Sequence, residues 1–154
     1  MKIALLHYSA PPIVGGVESV MRHHARLMAD AGHEVCMIAG RGEQTNEQVE
    51  FVQIPMTDSR HPVVASIKAQ LDRGIVPDEF FDLVSELSEE LRKTLTVADC
   101  LIAHNVCSLN KNLILTAAIR KISDVLPSLR IILWHHDLAW TTPRYRDELH
   151  DGYP

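Results

Sequence analysis

The sequence is poor in the features that mark specialised proteins. It has three cysteines, Cys36, Cys100 and Cys107, which form neither a CxxC pair nor zinc-ligand spacing. A disulfide framework and a cysteine-held zinc are therefore not expected. The apolar runs around Cys36 and Cys100 read as buried positions filled by small hydrophobes, and a reduced, cytoplasmic compartment fits. No stretch approaches ~18 consecutive apolar residues, so no membrane span is expected. The first residues read straight into a core strand, so no cleaved signal peptide is expected either. Basic charge is also short. Fifteen Lys and Arg against 20 Asp and Glu give a net charge of −5, which argues against a nucleic-acid binder or a protein drawn to anionic membranes. Nine histidines shift that balance only at low pH.

What is present is ordinary globular material. At 154 residues and 46% hydrophobic, the chain is long enough for one α/β domain with a real core. Ile3 to His7 is a short apolar run, as in a strand buried on both faces. A helix with the stripe Val17, Val20, Met21, His24, Leu27, Met28, Ala31 follows, closed by Gly32. Val35 to Ala39 is a second strand, and Glu50 to Pro55 a third, nearer the sheet edge. Val63 to Leu71 predicts a short helix. Pro77-Asp78-Glu79 starts a longer one with the stripe Phe80, Val84, Leu87, Leu91, Leu95. Asp99 to His104 is a fourth strand. Ser108 is the expected N-cap of a helix through Ile122, with Leu115, Ala118, Ile119 and Ile122 inward. Arg130 to His135 is a fifth strand, and the rest reads as polar and irregular with no closing helix.

Alternating strands and helices predict a doubly wound, mostly parallel sheet of order 3-2-1-4-5. Ligands of such sheets bind at the carboxyl ends of the strands, where the strand order reverses. Here the reversal falls between strands one and four. Gly15-Gly16 stand there, at the mouth of the first helix, where unpaired N–H groups and the helix dipole favour an anion. The loop is not G-x-G-x-x-G, and Gly40-Arg41-Gly42 follows the second strand where a dinucleotide site needs an acid. No Walker sequence is present. A bare Gly-Gly before a helix is a turn device about as often as a ligand cradle, and the dipole alone explains Glu18. His7, His104-Asn105 and His135-His136-Asp137 close strands one, four and five. A single strand-end histidine is more often structural than functional; the clustering is what makes the set a candidate site. Asn105 and Asp137 equally suit turn caps.

Two segments carry a family likeness. Pro11-Pro12-Ile13-Val14-Gly15-Gly16-Val17-Glu18 leads to Leu27-Met28-Ala29-Asp30-Ala31-Gly32-His33-Glu34-Val35. Together they resemble the opening of family 4 glycosyltransferases, retaining enzymes of the GT-B fold with two Rossmann-like domains facing a cleft. Asp99 to Asn105 is similar to that family's fourth strand, and Leu133 to Ala139 to its strand-five end with an active-site histidine. The resemblance implies that Gly15 and Gly16 lie against donor diphosphate and acceptor, and that His136 contacts the donor sugar. His135 is the alternative register, with the pleat sending the two to opposite sides. His104 and Asn105 would line the cleft. It implies a nucleotide-sugar donor, no tightly bound cofactor or metal, and a glycan, lipid or small-molecule acceptor. Peripheral membrane contact is compatible with that acceptor range. It further implies that residues 1–154 are a single, truncated acceptor-side domain, inactive alone, without the C-terminal donor domain and its paired glutamates.

Three other readings stay open from the residues. An inverting GT-B enzyme would use His7 as general base. A metal-dependent hydrolase would use His7, His104, His135 and Asp137 as ligands, though no HxH or HExxH spacing supports it. A non-catalytic Rossmann-like binding module is the last.

Overall fold

The computed structural model describes residues 1–148. Five strands alternate with helices: β1 (Lys2–Leu6), α1 (Gly16–Asp30), β2 (Glu34–Ala39), β3 (Val49–Gln53), α2 (Pro62–Leu71), α3 (Glu79–Leu95), β4 (Cys100–His104), α4 (Leu113–Val125) and β5 (Arg130–Trp134). All neighbouring strands pair in parallel, in the order β3-β2-β1-β4-β5. The expected order and the edge position of β3 are both met. A short 3-10 turn, Pro55–Thr57, follows β3, and two more, Ala139–Thr141 and Pro143–Glu148, follow β5. The expectation for the last six residues lies outside the described residues.

The strand pleat sorts the core into two layers. Ala4, Leu6, Ile38, Leu101 and Ala103 face α2, α3 and α4. Ile3, Leu5, Val35, Met37, Cys100 and Ile102 face α1. The α3 stripe Phe80, Val84, Leu87, Leu91 and Leu95 is fully inward, and each such side chain contributes roughly 1.5–3 kcal/mol by leaving water. The four expected residues of α4 are likewise buried. Among the described residues only α1 covers its side of the sheet, so Ile132 and Trp134 on β5 stay partly exposed.

Three local expectations are corrected. The inner face of α1 centres on Met21 and Ala25, and Leu27 is exposed; the helix is rotated so that its small Ala25 seats against the sheet. The N-cap of α4 is Asn112, not Ser108. Asn112 Oδ1 accepts from the Leu115 amide at 3.1 Å, while its Nδ2 donates to the Met56 and Thr57 carbonyls at 2.9 and 3.3 Å. A carboxamide offers donor and acceptor at once, so it caps the helix and ties it to the turn after β3; a serine cannot do both with this reach. Finally, β5 ends at Trp134, so His135 and His136 stand just past the strand.

Candidate functional site

The carboxyl edge at the β1–β4 reversal collects four imidazoles. His7 follows β1, His104 ends β4, His136 follows β5 and His24 comes from α1. His7 Nδ1 lies 2.7 Å from the His104 carbonyl oxygen. A carbonyl only accepts, so Nδ1 carries the proton and His7 Nε2 is left as an acceptor. His104 Nδ1 and His136 Nε2 are 3.1 Å apart with their rings stacked. His24 sits edge-on to Trp134, centroids 4.7 Å apart, and 5.4 Å from the His104 ring. In the sequence His24 is marked only as part of the inner stripe of α1. A histidine within an apolar stripe was the available signal for its place beside the site.

Burial dominates the electrostatics. It pushes His7 down to about 4, against the raising effects of its bond to the His104 carbonyl and of nearby Glu18. It pushes His104 down to about 3, helped by His136, His24 and His7. His24 is lowered for the same reason, first by burial and then by His136 and His23. These three rings are therefore neutral at neutral pH. They orient and exchange hydrogen bonds rather than attract anions by charge.

Asn105 holds this edge together. Among the described residues it is the one non-glycine residue with positive φ, at 59°, and is 2% exposed. Its Oδ1 accepts from the backbone N–H of His136 at 2.6 Å and of Asp137 at 3.2 Å. Its Nδ2 donates to Asp137 Oδ2 at 3.4 Å, and Ser108 Oγ donates to its carbonyl at 3.3 Å. The side chain is thus committed to the turn that presents His136. His136 turns toward His104, whereas His135 makes no hydrogen bond in the described structure and is exposed.

The two glycines differ. Gly15 is the N-cap of α1 in extended conformation. A Cβ there would overlap Glu18 Oε2 and lie 2.9 Å from its Cδ. Glu18 stands three residues past the cap, the position from which a carboxyl reaches back over a helix mouth, and Ser9 Oγ donates to it at 2.6 Å. The mouth read as a phosphate cradle therefore already holds the chain's own carboxyl group. At Gly16 a Cβ would meet nothing within 4 Å, so no internal contact requires glycine there. The Pro11–Pro12 bond before this loop is cis.

After β2, where a dinucleotide site would need an acid, Asp58 packs against Gly40. Its Oδ2 pairs with Arg41 Nε at 2.6 Å, and its backbone packs on Gly40 closely enough that a Cβ would fall 2.7 Å from Asp58 Cα. No described group of three His, Cys, Asp or Glu side chains is placed to hold one metal ion. No helix among the described residues is long and apolar enough to cross a membrane. The three cysteines are free, and burial pushes the Cys36 and Cys107 thiols up to about 11.

Comparison with known proteins adds no relative: no protein-family model, curated protein or solved structure matches this chain.

Proposed function

We propose that this chain forms the acceptor-side wall of a retaining glycosyltransferase of GT-B architecture, working with a second Rossmann-like domain that carries the nucleotide-sugar. The observation that carries the reading is the carboxyl-edge arrangement. An open Gly16 stands at the strand reversal, and the backbone turn that bears His136 is fixed by Asn105 and stacked on a neutral His104. The family likeness of the glycine loop and the strand-five end supplies the reaction class.

In that reaction the bond between the anomeric carbon and the donor phosphate oxygen breaks, and its electron pair leaves with the diphosphate. The acceptor oxygen bonds to the same face of the sugar, its O–H bond breaks, and the proton passes to the departing diphosphate oxygen. The chain's contribution is positioning and preorganised hydrogen bonding. His136 orients sugar hydroxyls through its ring nitrogens. The α1 mouth, shielded by Glu18, suits an uncharged hydroxyl better than a second negative charge. The partner domain supplies the cationic groups that receive the leaving diphosphate.

The test is transfer from a panel of nucleotide-sugars to hydroxyl acceptors, measured on the polypeptide that joins this chain to its donor-binding domain. Replacing His136 by Ala should lower kcat roughly 100-fold or more, the scale of losing one preorganised donor. His135→Ala should stay near the parent rate. Near-normal turnover by His136→Ala sinks the assignment.

A second reading, inversion with His7 as base, is favoured by one observation: the His104 carbonyl fixes the proton on Nδ1 and leaves Nε2 as an acceptor. Anomeric couplings in the first-formed product separate the two readings.

A further inference from the structure

His24 Nδ1 and His104 Nε2 are both buried, and neither meets a hydrogen-bond partner. Imidazole nitrogens in that condition cost free energy, so native proteins satisfy them directly or through one water. The two rings lie 5.4 Å apart, tilted by 46°. That separation lets the two nitrogens meet directly after a ring rotation. Trp134 flanks both rings, at 4.7 Å from His24 and 6.0 Å from His104, and its indole N–H makes no hydrogen bond to either.

We propose that His24 is a positioning residue that sets the tautomer of His104 and, through it, the group that His136 presents to the cleft. The inference rests on the proposed site only in naming the cleft; the coupling of the three rings stands on geometry. A neutral imidazole donates from one nitrogen and accepts at the other. If His24 Nδ1 accepts, His104 Nε2 carries the proton and His104 Nδ1 must accept from His136 Nε2–H. His136 Nδ1 is then a bare acceptor for a sugar hydroxyl. If His24 Nδ1 donates, every bond reverses and His136 offers Nδ1–H instead. One feature favours the first arrangement. His24 is half-buried on α1 with no bond at Nε2 among the described residues, so that nitrogen follows the intrinsic preference of a neutral histidine side chain for the Nε2–H tautomer. The inner nitrogen then accepts. His7 does not disturb the chain, because it bonds the His104 carbonyl and not its ring. The structure thus assigns one proton pattern, Nε2–H on His24, His104 and His136.

Tautomers are read directly from long-range 1H–15N correlations of the imidazole nitrogens in the labelled protein near pH 7.5. The expected spectrum shows protonated Nε2 and bare Nδ1 on all three rings. His24→Phe keeps a flat ring against Trp134 but removes the partner nitrogen. It should move the His104 and His136 nitrogen shifts toward a tautomer mixture, while His7 keeps its Nδ1–H signature. His24→Gln, whose carboxamide retains an acceptor, should restore the parent pattern, and it also serves if the Phe variant fails to fold. Unchanged His104 and His136 shifts in folded His24→Phe overturn the proposal, as does an Nδ1–H signature on His104 in the parent protein. Loss of transfer activity elsewhere in the site leaves these spectra untouched, so the coupling and the glycosyltransferase reading fail separately.

Discussion

Replacing Asn105 by Ala tests whether one side chain holds the His136 turn. Its Oδ1 is the acceptor for two backbone N–H groups, at 2.6 and 3.2 Å. Each such bond is worth about 1 kcal/mol net. Holding Ala rather than Asn at a φ of 59° adds about 1 kcal/mol, since Asn tolerates the left-handed region and Ala does not. Both residues of the turn are exposed, so water partly replaces the lost acceptor. The expected loss is therefore about 2–3 kcal/mol. For a domain of this size that lowers Tm by roughly 4–12 °C. Urea unfolding with linear extrapolation measures it, and an unchanged slope shows that the unfolded state is not the cause. Asn105→Gly separates the two contributions: it loses the same acceptor but tolerates the positive φ, so it should lose less than Ala. An Ala variant within about 0.5 kcal/mol of the parent refutes the clamp. A Gly variant no more stable than the Ala variant refutes the backbone part of the reasoning.

Two further outcomes follow from the packing and the burial of these side chains. Gly40→Ala should cost about 2–3 kcal/mol, because the added methyl meets Asp58 backbone that cannot swing away; a melting curve superimposable on the parent's contradicts that packing. Stability should also fall with acid. The folded values of His7 and His104, about 4 and about 3, lie below the ordinary 6.5, so the unfolded chain takes up protons first. The stabilisation is full above pH 6.5 and is lost as pH falls from there toward 4 and 3, at about 1.4 kcal/mol per pH unit for each ring. Denaturant midpoints measured stepwise from neutral pH down to about 4.5 check the slope, and His104→Asn should flatten it by one proton's worth.

The order of the sheet was legible because it depends on local signals. Apolar runs, the Gly32 stop, the Pro77-Asp78-Glu79 start and the α3 stripe each sit within one element, and the right-handed crossover then leaves few arrangements. The α4 cap was not legible in the same way. Ser108 and Asn112 are both capping residues by type, and the choice was made by the Met56 and Thr57 carbonyls, more than fifty residues away in sequence. The rotation of α1 likewise followed from what the sheet beneath it could accept.

At the candidate site the sequence by itself determined that histidines, a glycine pair and Asn105 would share one sheet edge, since strand ends in a parallel sheet gather there whatever the packing. Tertiary structure decided what each one does. It turned His136, rather than His135, against His104. It committed the Asn105 side chain to the backbone turn, brought His24 across from α1, and laid Glu18 over the Gly15 mouth. Those outcomes depend on side-chain direction and on burial. Neither is encoded in spacing along one strand, and both are settled only when separate elements close on the same few ångströms.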